Sequence, residues 1–180
     1  MKKPAILNAL RLLGDFASAE GIQLEISIYG GSAFLLAYNS REATKDIDAL
    51  LRPREAGERL AIKVARELDL PEDWINSDVA RFVSPKVELK RRLSEIEEET
   101  GLIVHVPSAD YLLAMKALAC RRPIGGYRGD LDDLAFLIRK MEIRSLDRIQ
   151  EAIDRFYPDD VIRERDRALL QSLITEAHNG

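Results

Sequence analysis

Two carboxylates separated by one apolar residue are the feature of this sequence that best fits a chemical function. Asp46 and Asp48 flank Ile47 in the stretch T-K-D-I-D-A-L-L, which is typical of a β-strand. Alternate residues of a strand lie on the same face, about 6–7 Å apart, so both carboxylates can converge on one site. Carboxylate oxygens suit Mg²⁺, and such a pair can bridge two ions about 3.5–4 Å apart. We therefore predict that Asp46 and Asp48 are catalytic and bind Mg²⁺ or Mn²⁺.

A glycine-rich turn precedes this pair and fits the binding of a phosphate. Gly30, Gly31 and Ser32 lie between a predicted strand and a predicted helix, and thirteen residues separate Ser32 from Asp46. The glycines let the backbone approach a phosphate closely, and the helix N-terminus supplies amide donors and a positive dipole end. Each feature alone is more often a structural turn or a solvated strand edge. Their combination predicts a nucleotide-binding site.

These segments resemble the signature of the DNA-polymerase-β-like nucleotidyltransferase superfamily. The resemblance lies in I-Y-G-G-S-A-F-L-L (28–36) followed by T-K-D-I-D-A-L-L (44–51). Three later segments resemble AbiEii-type nucleotidyltransferases: L-P-E-D-W-I-N (70–76), P-S-A-D-Y-L-L-A-M-K-A-L-A (107–119) and R-G-D-L-D-D-L (128–134). Many proteins of that type are toxins of bacterial toxin–antitoxin or phage-defence pairs, so a cognate antitoxin is a candidate partner.

The resemblance implies a metal-dependent enzyme that moves a nucleoside monophosphate from an NTP to a hydroxyl acceptor and releases pyrophosphate. Such a transfer needs charge neutralisation more than covalent catalysis. Gly30, Gly31 and Ser32 would hold the triphosphate, and Asp46 and Asp48 would bind the metal ions. The acceptor is a tRNA 3′ end, another RNA or a protein side chain, and the sequence does not choose among them.

Three residues of the C-terminal half also match the family pattern. By the resemblance, Lys116 would contact substrate phosphate or assist catalysis, while Asp130 and Asp133 would form the D-x-x-D that completes the site. Structural alternatives stay open for each. Lys116 can be the solvent-facing residue of a half-buried helix, and the acids can cap the next helix. The basic loop 121–129 can grip phosphates or be an ordinary solvated loop.

One departure from the superfamily pattern motivates a rival interpretation. Its third carboxylate commonly lies on a later strand, but the matching strand 102–106 has no acid and carries His105 instead. Glu88 is a poorer candidate, because its segment has no predicted element. Without this acid the chain can be a catalytically degenerate member that acts as a binding partner. A purely structural domain is a third interpretation, which leaves the joint motif unexplained.

Hydrophobic periodicity predicts the elements that position these residues. The expected order is helix, strand, helix, strand, helix, an irregular middle, a third strand and then only helices. This is an α/β (α+β) fold with a small mixed sheet of nucleotidyltransferase type, flanked by helices. We expect a core over 1–107 and a helical region over 108–180 packed on it, or one single domain. Part of 86–99 is predicted to be an exposed helix, and Asp130 is predicted to cap the helix 131–141.

Composition excludes several other functions. The 180 residues carry 27 basic and 31 acidic side chains, so the net charge of −4 excludes a globally basic nucleic-acid coat. One cysteine, Cys120, excludes an intrachain disulfide and, with only two histidines, a Cys/His zinc site. Cys120 is expected to be an inert buried thiol. No apolar run is long enough for a membrane span, and the N-terminal segment predicts an amphipathic helix of a cytoplasmic protein.

Overall fold

The computed structural model describes residues 1–123 and 129–179, which fall into two compact units. The first unit comprises 1–83 and 89–107, and the second comprises 84–88 and the chain from 108 onward. The first contains the sheet with its helices, and the second is helical. Part of the basic loop predicted at 121–129, residues 124–128, lies outside the described residues.

A five-stranded mixed sheet organises the first unit. Its elements are α1 (Lys3–Ala19), β1 (Glu25–Ile28), α2 (Gly30–Tyr38), β2 (Ile47–Arg52), α3 (Arg54–Glu67), β3 (Ile75–Asn76), a 3₁₀ helix (Asp78–Arg81), β4 (Leu89–Arg92), α4 (Ser94–Thr100) and β5 (Ile103–Pro107). The strand order is β3-β2-β1-β5-β4. The pairs β2–β1 and β4–β5 are antiparallel, whereas β1–β5 and β2–β3 are parallel. The predicted fold class is confirmed.

The sheet has one apolar face, which follows from the alternation of its strands. Ile26 and Ile28 of β1, Ile47 of β2 and Val104 of β5 are fully buried in the core. In β1 and β2 the residues between the buried ones, such as Asp48, are only half-buried and lie on the opposite face, whereas Ile103 of β5 is buried on that face as well. Helix α1 contributes its apolar stripe to the same core and contacts α3 and α4. The hydrophobic core therefore holds β1 and the start of α2 in place.

Trp74 shows how the middle of the chain joins this core. Its side chain is buried, and its indole Nε1 donates a hydrogen bond to the Ala61 carbonyl of α3 at 3.0 Å. The Trp74 carbonyl in turn accepts from Ile47 N at 2.8 Å, at the start of β2. The segment 70–76 is therefore a structural support of β2.

Several elements differ from the prediction. The charged strand β4 was missed, because its sequence L-K-R-R has no apolar alternation and all four residues are exposed. The helix predicted within 86–99 begins only at Ser94, and its Ile96 is fully buried, so the helix is not simply exposed. Strand β2 begins at Ile47 and not at Thr44, so Asp46 lies just before the strand.

Four helices form most of the second unit: α5 (Ala109–Ala119), α6 (Leu131–Lys140), α7 (Leu146–Phe156) and α8 (Glu164–Asn179). Ser108 caps α5, since its hydroxyl accepts from Tyr111 N at 3.3 Å. The buried Tyr111 ring packs edge-on against Phe156, and its hydroxyl accepts a bond from Ser84 N at 2.8 Å. Within the two described ranges, no helix is long and apolar enough to cross a membrane.

Candidate active site

The first part of the candidate site is the junction of β1 and α2. Tyr29 ends the extended segment, and Gly30 begins the helix with a φ of +56°. A Cβ atom on Gly30 would overlap Oδ2 of Asp48. Gly30 is therefore required for two reasons, its left-handed backbone and the carboxylate against its Cα. The fold brings together the predicted glycine turn and the predicted acidic pair.

Hydrogen bonds fix the backbone of this acidic pair. The Ser32 hydroxyl donates to the Asp46 carbonyl oxygen at 2.9 Å, and the Thr44 hydroxyl donates to the same oxygen at 3.0 Å. Asp48 is fixed on the other side, where its carbonyl accepts from Tyr29 N at 2.8 Å. The Ser32 side chain is fully buried. Its hydroxyl therefore positions Asp46 in this structure, a role that the prediction of direct nucleotide contact did not include.

The two carboxylates stand outside the core. Ile47 between them is fully buried, whereas Asp46 and Asp48 are each half-buried. This pattern fits the expected convergence of both acids on one side of the chain. Two carboxylates also fit Mg²⁺, which usually keeps several waters and takes only one or two protein carboxylates besides substrate phosphates. These two residues are the ones that would hold such an ion.

Sequence reasoning missed Arg41 and Thr44. If Gly31 carried a Cβ atom, that atom would lie 3.0 Å from Nη1 of Arg41 and 3.2 Å from Oγ1 of Thr44. The guanidinium of Arg41, a half-buried residue, thus lies over the first turn of α2. The only signal in the sequence was a single cation in the connection between the two motifs.

His105, which lies on the strand expected to carry the third carboxylate, is separated from Asp48 by one strand of the sheet. It pairs with Ser27 on β1, which in turn pairs with Leu50 on β2. His105 therefore lies on the same sheet face as Asp48 but two strands away, about 10 Å across the sheet. Glu88, the other candidate, forms an ion pair with Arg155 in the second unit.

Within residues 1–123 and 129–179, no group of three or more His, Cys, Asp or Glu side chains is arranged to hold a metal ion. A metal site at Asp46 and Asp48 therefore depends on oxygen ligands from substrate or water to fill its coordination.

In the second unit, Lys116 forms a buried ion cluster with the D-x-x-D acids. Its Nζ lies 2.7 Å from Asp130 Oδ1 and 2.8 Å from Asp133 Oδ2. The three residues are 5%, 0% and 2% exposed, respectively. The alternative that Lys116 faces solvent is therefore wrong. The cluster joins α5 to the start of α6.

Asp130 is also bound by Arg121. The Arg121 backbone N and Nε donate to Oδ2 at 2.9 and 3.1 Å, and Nη2 donates to Oδ1 at 3.1 Å. Burial alone would raise the pKa of Asp130, but these hydrogen bonds and the charge of Lys116 outweigh burial and lower it. Asp130 occupies the N-cap position of α6 without a side-chain capping bond. The predicted cap is wrong, because both carboxylate oxygens bind cations instead.

Cys120 is the inert thiol that its sequence context predicts. It ends α5 and is buried. Burial, with a contribution from the negative charge of Asp166, raises the pKa of the thiol to about 11. The nucleophilic thiolate is therefore scarce at neutral pH.

A family model described as "nucleotidyltransferase of unknown function (DUF6036)" matches residues 10–176. Neither the curated proteins nor the solved structures include a significant match to this chain. The match covers both units and every predicted site residue, from Gly30 to Asp133. The chain belongs to this nucleotidyltransferase family.

Proposed function

We propose that this protein is a metal-dependent nucleotidyltransferase that moves a nucleoside monophosphate from an NTP to a hydroxyl acceptor. The observation that carries the proposal is the contact of the Asp48 carboxylate with Gly30 at the first residue of α2. It places the N-terminus of a helix, which favours an anion, beside one of the two carboxylates. Membership of a nucleotidyltransferase family supports the same activity.

The residues of this segment divide the task between them. Amides at the start of α2 would bind the triphosphate, while Asp46 and Asp48 would hold Mg²⁺ or Mn²⁺. A bound ion would neutralise charge on the phosphates during in-line attack. The acceptor oxygen bonds to the α-phosphorus, the bond to pyrophosphate breaks, and the hydroxyl proton of the acceptor passes to water. The catalytic roles of Lys116, Asp130 and Asp133 remain predictions from the resemblance.

The acceptor and the biological role rest on the AbiEii-like segments alone. They favour an RNA, such as a tRNA 3′ end, or a protein side chain as the acceptor. They also favour a toxin–antitoxin or phage-defence pair, in which the partner is a cognate antitoxin. A small DNA-binding protein encoded beside this chain would support that role.

Labelled transfer tests the activity and identifies the acceptor class. The purified protein is incubated with each α-labelled NTP, Mg²⁺ or Mn²⁺, and total RNA. An Asp46→Asn/Asp48→Asn variant removes both charges with little change in shape, and Asp15→Asn on the exposed face of α1 is the matched control. Label in RNA or in the protein, lost only in the double variant, is the expected result. No transfer with any NTP or acceptor would contradict the proposal.

One observation favours a second function, in which the chain keeps the fold but acts as a binding partner. Among the described residues no third metal-ligating side chain joins Asp46 and Asp48. Thermal melts separate the two candidates, because a ligand that binds only the folded state raises its stability. Stabilisation by NTP that depends on Mg²⁺ supports the enzyme. If neither stabilisation nor transfer is observed, the result supports the function as a binding partner.

A further inference from the structure

We infer that Arg41 binds the phosphate chain of the nucleotide, at the Gly31 end of the site. The inference rests on the proposed function and adds one residue that neither motif contains. The Arg41 Nη1 and Cζ atoms lie 3.0 and 3.4 Å from the point where a Cβ on Gly31 would stand.

The position of this guanidinium matches the charge pattern of a nucleoside triphosphate. The first residues of α2 carry backbone N–H groups without helical partners, so the helix terminus already favours an anion. Arg41 adds a full positive charge beside the second residue, and the Asp48 carboxylate lies beside the first. A phosphate chain can thus contact a cation at Gly31 while a metal ion offsets the carboxylates. A planar guanidinium binds phosphate oxygens in pairs, which a lysine cannot reproduce.

The connection that carries Arg41 is held by its own backbone. Thr44 N donates to the Met1 carbonyl at 2.9 Å, and Lys2 forms an antiparallel bridge with Ala43. The Thr44 hydroxyl adds the bond to the Asp46 carbonyl. These bonds fix the chain on both sides of Ala43 without the Arg41 side chain. Replacing Arg41 should therefore leave the backbone of this segment in place.

Nucleotide affinity measured against phosphate number tests this role. Dissociation constants for NTP, NDP and NMP are measured with Mg²⁺ for wild type, Arg41→Ala and Arg41→Lys. Arg66→Ala, an exposed arginine on α3, is the matched control. Loss of charged hydrogen bonds predicts roughly 10- to 100-fold weaker NTP binding by Arg41→Ala, a smaller loss for NMP, and partial recovery in Arg41→Lys.

Gly31→Ala is an independent variant of the same contact. Its added methyl group would lie 3.0 Å from the Arg41 guanidinium and 3.2 Å from Oγ1 of Thr44, so both side chains must shift by a few tenths of an ångström while the fold should persist. We expect this variant to weaken NTP binding more than NMP binding as well. If Arg41→Ala does not fold, Gly31→Ala and Arg41→Lys are used for the test instead.

The outcomes separate this inference from the proposed function. If wild type binds NTP and transfers label while Arg41→Ala binds NTP equally well, the inference fails and the function stands. An equal loss of affinity for NTP and NMP, together with a lower melting temperature, would mean a structural role and would also overturn it. If wild type shows no metal-dependent NTP binding, both proposals fail.

Discussion

Paired acids occur in two places in this protein, and their surroundings differ. Asp46 and Asp48 are half-buried at the start of β2. Asp130 and Asp133 are buried, and both lie within 2.8 Å of the Lys116 ammonium. Carboxylates that remain partly solvated can exchange water for a ligand. The oxygens of buried carboxylates that bind cations of the protein are already occupied. The first pair is therefore suited to ligand binding and the second to stability.

The largest effect should come from breaking the buried cluster. Lys116→Met leaves two carboxylates without their shared cation, and we expect a loss of about 3–5 kcal/mol in the free energy of unfolding. Urea unfolding measures it, and Lys140→Met on the exposed end of α6 is the control. A loss no greater than that of the control would mean that the cluster does not stabilise the protein.

Neutralising the half-buried pair should give the opposite pattern. Asp46→Asn/Asp48→Asn should reduce nucleotidyl transfer at least about 100-fold, about 2.7 kcal/mol of transition-state stabilisation, because the proposed metal ion would lose both charged ligands. Stability should change by less than about 1 kcal/mol. Transfer rates and urea unfolding on the same samples check both expectations. Large destabilisation with unchanged transfer would reverse the comparison.

The contact between Gly30 and Asp48 can be isolated with a second glycine. Gly21 also has a positive φ, +65°, but a Cβ there would meet nothing within 4 Å. Gly21→Ala should therefore cost only the backbone strain, about 1–2 kcal/mol. Gly30→Ala should cost more and should also impair NTP binding, since its methyl group displaces the carboxylate. Equal losses in the free energy of unfolding in both variants, measured by urea unfolding, would show that the contact between Gly30 and Asp48 does not affect stability.

The smallest effect concerns the pH dependence of Asp130. Its pKa in the folded protein lies below the ordinary value of 3.8, despite burial, because Arg121 and Lys116 stabilise the carboxylate. Its contribution to stability is therefore complete above the unfolded pKa and is lost as the pH falls through the folded one. The stability difference between wild type and Asp130→Asn should shrink as the pH falls below about 4. A difference that grows on acidification would contradict this sign.

Much of the fold was accessible from hydrophobic alternation. Strands β1 and β2 and the long helices follow that signal, since each buries one face, whereas β5 is a mostly apolar run that is buried on both faces. Strand β4 could not be predicted, because its register comes from pairing with β5 while its own residues are charged and exposed.

The candidate site was predicted where its residues are adjacent in sequence. The Gly30-Gly31-Ser32 turn and the Asp46/Asp48 pair have local signatures, and the fold brings Gly30 to Asp48. Arg41 was missed because its placement over Gly31 depends on how the connection folds back on α2. Asp130 has the sequence context of a helix cap, but the cations that bind it come from α5 and from Arg121, which no local pattern reveals.

Metal-dependent release of pyrophosphate is the most direct test of the central claim. Pyrophosphate is measured with NTP, total RNA and Mg²⁺, for wild type and for Asp46→Asn/Asp48→Asn. We expect pyrophosphate release to require the metal and to be lost in the double variant. With α-labelled NTP, the amount of labelled acceptor should equal the amount of pyrophosphate released. Equal release by the double variant, or none by a folded wild type with any NTP, would contradict it.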